Sequence, residues 1–367
     1  MDSLPVLSPR ALGRATLARQ LLLRPSELGA EEAVRHLVGL QAQNTKPPYY
    51  ALAARLAGFR PEELSGLMES RAVARIVSLR STVHTHTARD AVGLRRLVQA
   101  GAVERELKAF RKGLAGVDLD RLTALAAAYV EERARTPKEL RERLLREWPD
   151  ADPLALTIAA RCLLPMVQVT PRGLWRRSGQ VALTTTREWF GAGDEEAAAI
   201  DETVLRYLGA FGPASVKDMQ TWCGLTRLRP AFERLRPRLL ALRTEHGTEL
   251  FDLPDAPRPD EDTPAPPRLL PEFDNLLLSH ADRTRIVAAD LKGRTWTGNQ
   301  AHRVFLLDGV LGGLWFLEES KGRTTLTVEP FGRIARADRV ALTDEAERIL
   351  RLTAPEGDAY DVAFRAG

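Results

Sequence analysis

Cysteine is nearly missing from this sequence, with only Cys162 and Cys223 in 367 residues. Two thiols without zinc-ligand spacing build neither a disulfide framework nor a metal centre, and they fit buried positions in a reducing compartment. Long apolar runs are missing too: hydrophobic residues make up 44%, yet no stretch reaches the ~20 residues that cross a bilayer. The opening Met1-Asp2-Ser3-Leu4-Pro5 has no basic segment leading into an apolar one, so secretion is not expected and a cytoplasmic, nucleoid-associated protein is. Nor does one sign of charge dominate, since 53 basic residues face 49 acidic ones for a formal charge of +4. What remains is a soluble chain long enough for several modules.

The charge is clustered. Arg71, Arg75, Arg80, Arg89, Arg95, Arg96, Arg105, Lys108, Arg111 and Lys112 form one block, and Arg227 to Arg243 holds another. Arginine exceeds lysine, which suits bidentate phosphate contact and equally a GC-rich genome. Glu249 to Asp274 is acidic and proline-rich and reads as a stiff linker.

The chain is organised around Gly39-Leu40-Gln41-Ala42-Gln43-Asn44. Ala33, Val34, Leu37 and Val38 carry helical periodicity up to Gly39, where a left-handed residue would end the helix. A continuing helix would set Gln41 and Gln43 about 200° apart. An extended chain would put both amides on one side. Around this stretch one order of elements returns three times. Helices at Ser8–Leu23, Glu31–Val38, Tyr50–Leu56 and Pro61–Met68 precede an Arg80–Thr87 strand. The capping box Thr136-Pro137-Lys138-Glu139 and a helix over Leu154–Met166 precede a hairpin with a basic tip at Arg172, Arg176 and Arg177. Helices at Thr203–Phe211, Ser215–Trp222 and Leu228–Leu235 precede strands flanking His246-Gly247.

The expected fold class is α+β, with three tandem winged-helix modules (residues 1–115, 116–195 and 196–254), a linker over 255–270 and a small barrel-like β-domain over 271–367. In that last part Ile286–Ala289, Arg303–Val310, Gly313–Leu317 and Thr324–Glu329 read as strands. Asp308-Gly309 marks a hairpin, and Asp344–Leu352 reads as a closing helix.

Several segments in this order resemble the winged-helix DNA glycosylases of the AlkZ/YcaQ type. They are Gly39-Leu-Gln-Ala-Gln43, Leu79-Arg-Ser-Thr-Val-His84 with Asp90, Leu269-Leu-Pro-Glu-Phe-Asp-Asn-Leu-Leu-Leu-Ser-His-Ala-Asp-Arg283 and Phe305-Leu-Leu-Asp-Gly-Val-Leu-Gly-Gly-Leu-Trp315. The resemblance implies a C-shaped molecule around a concave channel for double-stranded DNA. It implies a monofunctional enzyme that releases N7-alkylated purines, in base excision repair or self-resistance to a DNA-alkylating toxin, and that in some members unhooks interstrand crosslinks. It also implies Gln41 and Gln43 as the catalytic pair, with Arg80, Thr82 and His84 as support behind them. No cofactor is implied, and a monomer is expected.

Two neutral amides suffice for such a reaction. An N7-alkylguanine is already a cation and leaves without protonation, so the enzyme has to steady an oxocarbenium-like sugar and deliver water. A glutamine head offers one acceptor and one donor group. Arg172, Arg176 and Arg177 are candidate phosphate contacts, against a plain solvated hairpin tip. Lys292-Gly-Arg294-Thr-Trp296 reads as a second hairpin tip near DNA, with Lys292 and Arg294 as its cations. His84 and His86 have strand spacing for a metal pair, but no further ligand completes a site. The competing reading is a non-enzymatic winged-helix regulator, and a weaker one is a metal-dependent hydrolase.

Overall fold

The computed structural model describes residues 4–191, 196–320, 322–354 and 359–365. Residues 1–3, part of the segment read for a targeting signal, lie outside them.

Local chemistry starts the helices where the sequence places it. Ser8 accepts the Ala11 amide ahead of Pro9–Arg19, with proline at the first helical position. That helix stops four residues short of Leu23, because Leu21 takes a left-handed φ of 59°. Thr136 with Glu139, and Ser215 with Asp218, make reciprocal capping boxes before Pro137–Leu145 and Val216–Cys223. The helices Ala30–His36, Pro47–Ala53 and Pro61–Glu69 follow the expected order.

The architecture is mixed α+β. One five-stranded sheet carries the glutamine stretch, in the order Leu40–Gln41, Val83–Thr87, Val73–Val77, Met166–Gln168, Leu183–Thr185, with all neighbours antiparallel. Arg75 opposite Gln168 and Ile76 opposite Val167 join the first sequence repeat to the second. Val73–Val77 and Val83–Thr87 are buried along their whole length. The Arg80–Thr87 strand begins later than expected, since Arg80 and Ser81 both sit at left-handed φ (55° and 59°) in the turn before it. In the third repeat Leu240–Thr244 pairs antiparallel with Glu249–Asp252. Val6–Leu7, which no sequence signal marked, adds in parallel.

The hairpin expected after Val169 is only partly there. Leu183–Thr185 pairs with Met166–Gln168, but the chain from Leu174 to Ala182 forms turns and coil rather than a strand. Ile286 and Val287 are buried in a turn, not a strand, and the Ile286 carbonyl accepts the Leu311 amide. Short apolar runs fit either state by pattern alone.

The C-terminal segment is not a closed barrel. Five of its strands form an open sheet in the order Ala359–Phe364, Arg323–Pro330, Val310–Ser320, Val304–Leu307, Arg268–Leu270, and Trp296–Thr297 with Gln300–Ala301 makes a separate hairpin. The last three residues of the expected linker thus make one edge. At the other edge Ala359–Phe364 runs parallel to its neighbour, and a parallel pair needs a crossover. The helix Arg336–Thr353 supplies it, starting eight residues before Asp344. This helix buries Leu342, Ala346, Ile349 and Leu350 against Trp315, Leu326 and Val328, so the sheet face is covered without closure. Asp308 and Gly309, both at positive φ, make the expected hairpin turn.

Two cores meet at the glutamine stretch. Leu37 and Leu40 pack with Leu269, Phe305 and Trp315, while Val38 packs with Leu79, Leu94, Tyr207 and Trp222. Beside them Arg55 holds Asp274 through two hydrogen bonds of 2.8 Å, both side chains wholly buried. Removing one partner of such a pair strands a buried charge. Asp274→Ala is therefore expected to lower the unfolding free energy by about 3–5 kcal/mol, read from urea denaturation. A loss below about 1 kcal/mol would show that water reaches Arg55.

Candidate active site

The site is built on a bend. Val38 (φ 55°) and Gly39 (φ 93°) are consecutive left-handed residues, and the Gly39 amide reaches back to the Val34 carbonyl at 2.9 Å, sealing the end of Ala30–His36. Glycine is required twice over here. A Cβ at this backbone angle is strained, and it would stand 2.2 Å from His86 Nδ1. The chain leaves the bend extended, with Gln41 opposite His84. Ala42 turns its methyl into a small apolar cluster with Val77 and Val83. The chain is extended through Gln41, where the strand ends, and Gln43 lies in the bend that follows, so the extended arrangement holds only as far as Gln41.

The two glutamines differ in setting. Gln41 is buried, and its Oε1 accepts from Arg80 Nη2 at 2.6 Å. Arginine only donates, which fixes the amide: oxygen towards Arg80, nitrogen away. Gln43 is exposed, and its Oε1 lies 3.4 Å from the Val83 amide, a loose contact. Arg80 reaches Gln41 because of the left-handed turn at residues 80–81. Its other terminal nitrogen binds the Trp222 carbonyl, and Ser81 Oγ binds Glu106.

Of the three supporting residues expected, Arg80 touches Gln41 and His84 touches Arg80, while Thr82 caps the turn through the Leu79 carbonyl. His84 Nδ1 lies 3.0 Å from the Thr82 carbonyl and so carries the hydrogen, leaving Nε2 to accept from Arg80 at 3.2 Å. Burial, then Arg80, then His86 hold the His84 pKa well below its ordinary value. Burial brings Arg80 down to about 10, and it stays charged at neutral pH.

The sequence reading missed the residues that hold the bend. Asn275 Nδ2 donates to the Gly39 carbonyl at 2.7 Å and its Oδ1 accepts the Gln41 amide at 3.4 Å. Arg75 donates to the Ala42 and Asn44 carbonyls, and Asn44 Nδ2 donates to Glu272. Glu272, Asp274 and Asn275 all belong to the 269–283 segment already quoted for its resemblance, which was the available signal.

Among the described residues, none of the other candidates bonds a glutamine side chain. Arg172 folds onto the Gly179 carbonyl, Arg176 donates to the Thr353 carbonyl, and Arg177 is exposed. Lys292 and Arg294 are exposed, but the hairpin there turns at Gly298-Asn299, not at residues 292–294, and Arg294 lies over the Phe331 ring at 3.9 Å. His84 and His86 stack at 5.5 Å, and no three metal-ligating side chains cluster among the described residues. A cleft of about 800 Å³ opens elsewhere, between Ala30–His36, Ala88–Leu97 and Ile200–Phe211, lined by Glu31, Arg35, Arg89, Asp90 and Arg206.

This architecture is that of a solved DNA glycosylase. The fold superposes on Streptomyces sahachiroi DNA glycosylase AlkZ with a TM-score of 0.76, at 22% identity, covering 98% of this chain and 100% of that one. The "Interstrand DNA cross-link repair glycosylase" of Streptomyces sahachiroi is 25% identical over 360 residues, 91% of this chain and 94% of that protein. A model described as "DNA glycosylase AlkZ-like" matches residues 34–352. The chain belongs to the AlkZ-like DNA glycosylase family. It is an enzyme, a DNA glycosylase, and the regulator reading is not favoured. No helix among the described residues is long and apolar enough to cross a membrane.

Two outcomes follow from the site's construction. Asn275→Leu leaves the buried Gly39 carbonyl and Gln41 amide without this partner, at about 1–3 kcal/mol each, so a loss of about 2–6 kcal/mol in urea denaturation is expected. The histidines set an acid limit. Burial lowers His86 to about 4 and keeps His84 neutral, whereas the unfolded chain takes up these protons near 6.5. Below pH 6.5 the unfolded state binds more protons, so stability is complete above that value and falls as pH drops towards 4. Each histidine contributes a slope of up to about 1.4 kcal/mol per pH unit. Urea midpoints flat between pH 7 and 5 would contradict the neutral buried pair.

Proposed function

We propose that this enzyme is a monofunctional glycosylase for cationic N7-alkylated purines in double-stranded DNA, with Gln41 and Gln43 as its catalytic pair. In this reading the three helix-plus-strand repeats are winged helices arranged around a concave DNA channel, and the protein acts as a monomer. Crosslinks made by a bifunctional alkylating toxin fall in the same substrate class, because each linked guanine carries the same N7 cation. The relative from Streptomyces sahachiroi bears that activity in its description.

The observation that carries the reading is the unequal hold on the two amides. Gln41 Oε1 is committed to Arg80, which leaves its second lone pair and its NH₂ to orient a water. Gln43 is exposed and only loosely tied to the Val83 amide, so its carbonyl is free to turn its negative end to C1′. As the C1′–N9 bond breaks, its electron pair neutralises the purine cation, and the sugar takes up the positive charge. Water then adds at C1′ from the side Gln41 commands and gives its proton to solvent. Neutral amides serve only where the leaving group is already good, which spares ordinary purines. Lys46, three residues beyond Gln43, is held by Glu319 at 2.9 Å, away from the role of a Schiff-base amine.

Duplex DNA containing N7-methylguanine, incubated with the protein and then treated with alkali, tests the reading. Parental enzyme is expected to give strand breaks only after alkali, with or without EDTA. Gln41→Ala and Gln43→Ala are each expected to slow excision on the order of 10²–10³-fold. Parental rates in both variants, or borohydride trapping of protein on DNA, would sink the assignment.

A further inference from the structure

One cation beside the glutamine stretch, Arg303, keeps donors that the protein does not use. Arg303 gives only its Nε to the protein, in a 2.9 Å bond to Glu272 Oε2. Among the described residues neither of its terminal nitrogens meets an acceptor. Its guanidinium is braced by two rings, lying over Trp315 at 5.0 Å and Tyr50 at 5.5 Å from the ring centroids. The side chain keeps 23% of its exposure, so the open edge faces solvent.

The link to the site is short. Glu272 Oε1 accepts from Asn44, the residue after Gln43. Both Glu272 oxygens are therefore occupied, and the nearby Glu319 is engaged by Lys46. The remaining edge of Arg303 is a planar pair of donors whose local carboxylates are already satisfied. That geometry matches two oxygens of one tetrahedral anion, and stacking on the rings removes most of the ordering cost that makes free surface arginines weak clamps.

We propose that Arg303 is a phosphate clamp, binding the DNA phosphodiester beside the nucleotide whose sugar meets Gln43. This rests on the reading of Gln43 given above. The two terminal nitrogens take the two non-bridging oxygens, and Glu272 transmits that position to Asn44, fixing the register of the backbone against the catalytic loop. Arg303 here reads no base. Its contact is independent of the lesion and sensitive to salt.

The test uses the full chain and a duplex carrying one N7-methylguanine. Binding is titrated over a range of salt for the parent and for Arg303→Gln, whose amide still donates to Glu272. Losing one phosphate contact lowers the slope of log K against log salt by about 0.9, or roughly eightfold weaker binding at 0.1 M salt. Methylphosphonates are then placed singly along both strands. One position near the lesion is expected to weaken the parent and leave Arg303→Gln unchanged, because that contact is already gone. If Arg303→Gln does not fold, Arg303→Met, which keeps its stem over the rings, is read instead. An unchanged salt slope, or equal penalties in parent and variant at every phosphate, overturns the clamp while leaving the glycosylase reading intact. A parent that binds no duplex overturns the DNA reading itself.

Discussion

The site depends on a single side chain that takes the place of a missing strand. Leu40–Gln41 is the outermost strand of its sheet, and its outer edge faces Asn275, the first residue of the short helix Asn275–Leu278, rather than another strand. Asn275 presents one acceptor and one donor to that edge, binding the Gly39 carbonyl and the Gln41 amide as a peptide group would. A two-residue strand has too few ladder bonds to hold its own direction. Clamped on the inside by Thr85 and His84 and on the outside by Asn275, it holds the direction of Gln41. The left-handed angle at Val38 persists because its own side chain is anchored in one core while Leu37 and Leu40 on either side of the bend are anchored in the other.

Electrostatics separates the settings of two chemically identical side chains. Position 41 lies against a buried cation. A carboxylate there would form an ion pair with Arg80 and, on the mechanism proposed above, lose its field at the sugar. Position 43 has no such partner and faces outward. An acceptor at 43 therefore acts on what binds outside, while one at 41 is set by what lies inside. The neutral, buried His84 is part of this arrangement. Protonated, it would offer Arg80 a second cation in place of an acceptor.

Much of the local structure was legible in the sequence, and the long-range part was not. Gly39 marked the end of a helix, the capping boxes marked two starts, and Asp308-Gly309 marked a turn. Each depends on chemistry within a few residues. Asn275 stands 236 positions from Gly39, and no pattern within either segment says that they meet. The same limit explains the open C-terminal sheet: its edges, Arg268–Leu270 and Ala359–Phe364, come from a proline-rich stretch and a chain end that carry no alternating pattern. The turn at Arg80 was hidden because its β-branched neighbours read as a continuous strand.

Arginine shows most clearly why charge along a sequence is no map of a surface. The basic block from Arg71 to Lys112 read as a face for an anion, yet Arg75 and Arg95 are buried and serve the protein itself. Arg95 donates to the Cys162 carbonyl and Arg75 to the carbonyls on either side of Gln43. Arg19 with Asp252, Arg55 with Asp274 and Arg206 with Asp90 are bidentate braces between segments far apart in the chain. Lysine could not replace them, since a planar fork meets a carboxylate at two points and fixes an orientation. The excess of arginine over lysine thus has a structural use that precedes any DNA. It ties the repeats into one body, and a cation is open to an outside ligand only where this internal demand is already met.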